Sequence, residues 1–530
     1  MIPLSFEQTY PSQRSPVLAE NVVATSQPLA AQAGLRMLIA GGNAVDAALA
    51  AAMALVVVEP TSNGLGSDAF AIVWDGKELH GLNASGRAPQ AWTQERFAKH
   101  EHMPLRGWDS VTVPGAVSAW SALSKRFGKL PFADLLAPAI DYAENGFAVS
   151  PVIAGQWARI ARNYAGQPGF DEAFLPSGSP PAAGERFVNA ALARGLRDIA
   201  ASHGQSVYSG AFAEALCRHA DDHGGALTMA DLAAHEATWC KTISRGMDDW
   251  SVHELPPNTQ GIATLMALGI LRRFELGRFP PDSVDAHHLQ IEAMKLALAD
   301  LATHVGDPAH MPLNASALLD EHYLESRAGL IDLKTAGAFG AGAPTAGGTV
   351  YVAAADSSGM MVSYIQSNFQ GFGSGVVVPD VGASLNNRGA GFVLEPGHPN
   401  AVGPGKQPLN TIIPGFLMRG NEPFMSFGVM GGPMQAQGHL QMALRTALYG
   451  QNPQAASDAP RWRAVEGKKL AIETGMDESL VAGLAERGHE ISHEAPDASW
   501  AFGGAQLVCR TGSGYIAGSD HRKDGCAVGF

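Results

Sequence analysis

Charge is scarce in this chain of 530 residues. Asp, Glu, Lys and Arg make up 16% of it, and 50 acidic residues against 36 basic ones leave a net charge of -14. A nucleic-acid partner calls for a basic face, so none is expected. Cysteine is scarcer still: Cys217, Cys240, Cys509 and Cys526 lie far apart, and no two form a CxxC pair. That pattern argues against a disulfide framework or a thiolate metal site, and fits free thiols in a reducing, cytoplasmic compartment. Long apolar runs are absent too. The longest, Ala47 to Val58, is too short to cross a bilayer. The opening "MIPLSFEQTYPSQRSP" has no basic stretch followed by an apolar one, so neither a secretion signal nor a membrane partner is expected.

The common cofactor and nucleophile signatures are also missing. "GFGSG" (371–375) and "GPGK" (403–406) fail the spacing and context of phosphate loops and read as turns. There is no GxSxG elbow. His287 and His288 are adjacent on a predicted helix and face different ways, unlike a ligand pair at i and i+4. No metal and no cofactor is expected.

The chain is long enough for one large core or for two or three ordinary domains. Leu29, Ala33, Leu35, Leu38 and Ile39 recur with a helical period, and Gly41-Gly42 ends that helix. Asn43 is placed to cap a second helix running towards Pro60, apolar nearly all round and therefore central. Asp75-Gly76 predicts a hairpin between "AFAIVW" and "ELHGLN". Residues 110–335 read as mainly helical, and 349–530 as rich in strands, with Ser357-Ser358-Gly359 as a hairpin turn. Between these parts, 334–348 ("KTAGAFGAGAPTAGG") carries no helix or strand signal and is expected to be flexible.

Thr349 stands where that segment meets a strand. Local sequence alone favours a strand-opening threonine, since threonine is common in strands. The segment before it suggests more. Were the Gly348–Thr349 bond cut, Thr349 would carry both a hydroxyl and a free α-amine. An α-amine has a pKa of about 7.7–8.0 and is partly neutral near pH 7. It can then serve as base for the hydroxyl of its own residue. A glycine before the threonine eases the turn that lets the hydroxyl approach the Gly348 carbonyl.

Around this threonine the chain resembles the γ-glutamyltransferase family of N-terminal-nucleophile hydrolases over almost its whole length. The resemblance is carried by "PLAAQAGLRMLIAGGNAVDAALAAAMALVVVEPTSNGLGS" (28–67), "VPGAVSAW" (113–120), "FADLLAPAIDYAENGFAVS" (132–150) and "LPPNTQGIATLMAL" (255–268). It continues through "TVYVAAADSSG" from Thr349, "LNN" (385–387), "GPGKQPLNTIIP" (403–414) and "GVMGGP" (428–433). Many motifs in one order are more specific than any single one. The resemblance implies an α+β fold, a four-layer αββα sandwich. It implies autocatalytic cleavage at Gly348–Thr349 into a large subunit, 1–348, and a small one, 349–530. These would associate as a heterodimer, alone or as a dimer of heterodimers. It implies Thr349 as nucleophile, Gly431 and Gly432 amides as the oxyanion hole, and Ser367 as the hydroxyl that hydrogen-bonds the nucleophile. Asn410 and Thr411, with Gln370, are implied on the substrate side.

The chain also departs from the family. The position aligned with the transferases' carboxylate-binding arginine is Ser85, with Arg87 two residues on. The position aligned with their ammonium-binding aspartate is Gly391, with Arg388 nearby. The segment between Phe392 and "GPGK" is too short for a lid loop. These departures resemble the oxamate amidohydrolase-like and acylase-like branch. Arg87 and Arg388 offer planar forks suited to a carboxylate. The expectation is an amidohydrolase for a small amide with an anionic acyl group, oxamate foremost. The competing readings are γ-glutamyl transfer or glutathione hydrolysis and, from a different class, an unprocessed binding protein.

Overall fold

The computed structural model describes residues 12–339, 348–495 and 501–530. Two seven-stranded sheets lie face to face at its centre. The first runs in the order Cys526–Gly529, Val22–Thr25, Val350–Ala355, Met361–Ser367, Asp68–Trp74, Leu79–Ala84, Thr238–Cys240. The second runs Val17–Ala19, Gly514–Ser519, Gly504–Thr511, Glu422–Met430, Gly415–Arg419, Trp250–Glu254, Ile243–Met247. Every pairing within them is antiparallel.

Period-two alternation sorts the side chains into layers. In Val350–Ala355, Tyr351, Ala353 and Ala355 join Phe70, Ile72, Phe416 and Val508 between the sheets. Val350, Val352 and Ala354 turn the other way, into a core shared with the helices Pro28–Ile39, Ala44–Val58 and Phe132–Asn145. Beyond the second sheet, Leu417, Phe427, Val429 and Leu507 pack on the helices Gly261–Leu271, Val284–His304 and Met434–Ala443. Helix, sheet, sheet, helix is the expected sandwich.

Both helices predicted between residues 27 and 59 are present, and every residue of Ala44–Val58 is buried. An all-apolar helix is stable only where all its faces are covered; this one lies against other helices on one side and Val350–Ala355 on the other. Asn43 caps it in a reciprocal box: its side chain accepts from the Asp46 amide at 3.0 Å, and Asp46 accepts from the Asn43 amide at 3.0 Å. Asn43→Ala should cost about 1–2 kcal/mol and lower the melting temperature by roughly 1–2 °C for a chain of this size, with activity intact. An unchanged melting curve would show the cap to be dispensable.

The middle of the chain is mainly helical as expected, but it also holds strands outside that expectation. Thr238–Cys240 is one edge strand of the first sheet, and Ile243–Met247 one edge strand of the second, with Trp250–Glu254 beside it. They are short, and short strands gain their order from a neighbouring strand rather than from local preference. The segment expected to be flexible, 334–348, is tethered at its start. Ala336 donates to the Arg487 carbonyl at 2.7 Å, Gly337 donates to Glu292 at 2.8 Å, and Lys295 donates to the Gly337 carbonyl at 2.6 Å. Residues 340–347 of that segment lie outside the described residues.

Chain order matters at the site. Val350–Ala355, just after Gly348–Thr349, pairs with Val22–Thr25 on one side and Met361–Ser367 on the other. Met361–Ser367 pairs in turn with Asp68–Trp74, which places Ser367 opposite Asp68. Strands from before and after residue 348 are therefore interleaved in both sheets.

Candidate active site

Thr349 opens its strand beside Ser367, the last residue of the neighbouring one. Its hydroxyl donates to Ser367 Oγ at 3.3 Å and accepts from Gln435 Nε2 at 3.3 Å. Ser367 Oγ donates its own proton to the Gly348 carbonyl at 2.7 Å and accepts from the Phe369 amide at 2.8 Å. Thr349 is buried, but its hydroxyl meets polar groups, not hydrocarbon. A side chain at Gly348 would lie 3.0 Å from the Thr61 carbonyl and 3.1 Å from Ser62 Cα, so glycine lets the two backbones close up.

Gly431 and Gly432 follow the strand Glu422–Met430 of the second sheet. Their φ values of 119° and 59° suit glycine and turn the chain sharply before the helix Met434–Ala443. Among the described residues, neither amide has a hydrogen-bond acceptor. Gln260 Nε2 holds the Gly432 carbonyl at 2.9 Å and also donates to the Thr411 carbonyl. That links the glycine turn to the residues around Arg388.

Arg388 is fully buried. Nη1 donates to Thr411 Oγ1 at 3.1 Å, and the guanidinium stacks on Phe369 at 4.7 Å from the ring centre. Nε lies 3.6 Å from Asp68 Oδ2, and neither Nε nor Nη2 has a hydrogen-bond partner. Asp68 accepts from the Gly86 amide at 2.9 Å and from Asn410 Nδ2 at 3.0 Å. Burial pushes its carboxyl up to about 6, with Arg388 pulling the other way. Burial also lowers the Arg388 guanidinium to about 10, still charged at pH 7.

The structure thus forms two groups, Thr349–Ser367–Gly348 and Arg388–Thr411–Asp68–Asn410, joined through Phe369, whose amide donates to Ser367 and whose ring lies against Arg388. Gln370 borders them through its backbone, donating to Asn387 Oδ1 at 3.1 Å and accepting from Tyr164 at 2.9 Å. Arg87 is not drawn in. Its side chain is half-exposed, donates to the Gly405 carbonyl at 3.0 Å, and lies 3.6 Å from Asp307. Among the described residues it meets Asp307 and the Gly405 carbonyl, not the groups around Thr349. Ser85 instead accepts from Asn258 at 3.1 Å and Asn410 at 3.4 Å.

Sequence reasoning missed Asp68, Gln435 and Gln260. Asp68 had one weak signal, a lone acid at the head of a wholly apolar strand run. A further grouping of possible metal ligands also escaped it: His288, Glu292 and His489 are buried with ligand atoms within 4.8 Å of one another. His288 Nδ1 meets His489 Nε2 at 2.9 Å, and Glu292 is taken up by Lys295 at 2.6 Å and Gly337. The adjacent Lys295 ammonium disfavours a cation, and the cluster serves to tether 332–337.

A threonine hydroxyl at the head of a central strand of an αββα sandwich, a preceding glycine carbonyl held by a second hydroxyl, and two unpaired glycine amides define an N-terminal-nucleophile hydrolase. The chain belongs to the gamma-glutamyltranspeptidase family, whose sequence model matches residues 30–530. It is 34% identical over 529 residues to the glutathione hydrolase-like YwrD proenzyme of Bacillus subtilis (strain 168), covering 98% of this chain and 100% of that one. It is 36% identical over 517 residues to the oxamate amidohydrolase proenzyme of Klebsiella pneumoniae, covering 95% and 97%. Among solved structures, a cephalosporin acylase from Bacillus halodurans superposes with a TM-score of 0.94 at 45% identity, covering 100% of this chain and 99% of that one. Among the described residues, no helix is long and apolar enough to cross a membrane.

Proposed function

We propose that this enzyme cuts itself at Gly348–Thr349 and then hydrolyses a small amide whose acyl part carries a carboxylate, with oxamate the leading candidate. The observation that carries the reading is the buried, unpartnered Nε/Nη2 edge of Arg388, joined through Phe369 to the group around the Thr349 hydroxyl. A fully buried guanidinium edge without an acceptor is costly, and a carboxylate fits it in two parallel hydrogen bonds.

In the uncut chain the Thr349 nitrogen is an amide and cannot act as base. The hydroxyl relay supplies the proton path instead. Thr349 Oγ attacks the Gly348 carbonyl carbon, its proton passes to Ser367 Oγ, and the proton of Ser367 passes to the Gly348 oxygen. Collapse breaks the C–N bond, the nitrogen takes the proton, and water hydrolyses the resulting ester. The large and small parts stay together as a heterodimer because their strands are interleaved. Removal of Gly348 from over Ser367 opens the site.

In the cut enzyme the freed amine takes the Thr349 hydroxyl proton as Oγ attacks the substrate amide carbon. The Gly431 and Gly432 amides donate hydrogen bonds to the oxyanion. The amine's proton goes to the leaving nitrogen, and water hydrolyses the acyl-enzyme.

A second reading, γ-glutamyl transfer or glutathione hydrolysis, is favoured by Asp68, a carboxylate that could meet a substrate ammonium beside Arg388. Initial rates of the processed protein on oxamate and on γ-glutamyl-p-nitroanilide separate the two. Turnover of oxamate with little of the second is expected; the reverse result replaces the first reading with the second.

A further inference from the structure

Asp68 and Arg388 form a fully buried pair whose geometry is incomplete on both sides. The separation of 3.6 Å between Arg388 Nε and Asp68 Oδ2 keeps the charges together without a hydrogen bond. Asp68 is held from elsewhere, by the Gly86 amide and Asn410. Its strand position opposite Ser367 keeps it at the head of the sheet. One cation therefore faces an acid of the protein across 3.6 Å, on the same Nε/Nη2 edge that has no hydrogen-bond partner and that a second carboxylate would share.

We infer that Asp68 is a positioning residue that trades its charge with the substrate: when an acyl carboxylate docks on Arg388, Asp68 takes up a proton. The inference rests on the proposed role of Arg388. Two carboxylates sharing one buried guanidinium leave a net negative charge that burial penalises, and protonating one of them removes it. Asp68 is the one that yields, because burial has already pushed it up to about 6. Arg388 is the charged group acting on it among the described residues; Asn410, Ser85 and the Tyr208 hydroxyl, which also senses it, stay neutral. The amine freed at Thr349 would lie two strand spacings away, about 10 Å, and titrates near pH 8.

Linkage fixes the sign. Binding that takes up a proton weakens as pH rises above the Asp68 pKa of about 6 in the free enzyme, by up to about tenfold per pH unit. Below that pH, affinity levels off because Asp68 is already protonated. Asp68→Asn supplies the neutral form at every pH, so its affinity should be tight and flat. The proton step thereby gives the site a preference for purely anionic acyl groups over zwitterionic ones.

The test is calorimetry of the processed protein with oxalate, malonate, succinate and glutarate between pH 6 and 7.5, in buffers of different ionisation heat. The expected result is uptake approaching one proton at pH 7.5 for whichever dicarboxylate binds, and none in Asp68→Asn. Binding by the unaltered enzyme without proton uptake overturns the inference, as does uptake that persists in Asp68→Asn. If none of the four binds, or if Arg388→Met binds them unchanged, the role of Arg388 falls and this inference with it. If glutamate binds more tightly than glutarate and Asp68→Asn removes that preference, Asp68 is a counter-ion for a substrate ammonium and proton uptake is discarded.

Discussion

Thr349→Ala protein should run as one band of 55.4 kDa on a denaturing gel and hydrolyse no amide, whereas the unaltered chain should separate into bands near two-thirds and one-third of that mass. Both effects come from one atom. The Thr349 hydroxyl sits between Gln435 and Ser367, and Ser367 holds the Gly348 carbonyl. No other side-chain oxygen touches that hydroxyl among the described residues. Loss of the nucleophile in a hydrolase typically costs on the order of a millionfold in kcat, so turnover should fall to background. Thr349→Ser retains oxygen and amine and should still cut itself, which guards against misfolding as the cause. Two bands from Thr349→Ala would place the cut elsewhere and remove the mechanism. A single intact band from the unaltered chain after long incubation would instead favour a non-catalytic binding protein.

Arg388→Met should raise KM for an amide with an anionic acyl group and leave kcat nearly unchanged. A charge-assisted hydrogen bond contributes about 1.5–3 kcal/mol, so losing the fork should lower kcat/KM by roughly 10- to 150-fold. A competing effect must be weighed. Removing one member of a buried ion pair can cost about 3–5 kcal/mol of stability when the other stays charged. Here Asp68 escapes most of that by binding a proton, since its pKa is already about 6 and loses its main counter-charge with Arg388. Arg388→Met should therefore fold and process, and the double variant with Asp68→Asn should melt at or above the single one. Arg388→Lys should recover little, because an ammonium cannot offer a planar fork. The readout is the split between KM and kcat on oxamate, with self-cleavage as the control. A fall in kcat at constant KM would mean that Arg388 acts on the transition state and does not read the acyl group.

Much of this is legible in the sequence itself. The Asn43-capped helix, the Asp75-Gly76 hairpin and the strand opened by Thr349 are local patterns of period and turn chemistry, and the structure reproduces them. The order of motifs along the chain carried the family. Pairings between distant segments were not legible. The strands at 238–254 are too short to announce themselves, and neighbours elsewhere in the chain order them. Arg87 and Arg388 look alike as letters, both arginines beside a family motif. One meets Asp307 at the surface and the other is enclosed with Asp68.

By itself, then, the sequence determined the capped helix and the hairpin, through side-chain periodicity and turn chemistry, and the family, through the order of its motifs; the sandwich and the candidacy of Thr349 followed from that resemblance. Only the tertiary structure decided which arginine is buried, that Asp68 accompanies it, and that Ser367 spans the Thr349 hydroxyl and the Gly348 carbonyl. Those depend on contacts between residues 18 to more than 300 positions apart, and burial, which makes an unpaired charge costly, belongs to the folded surroundings and not to any stretch of chain.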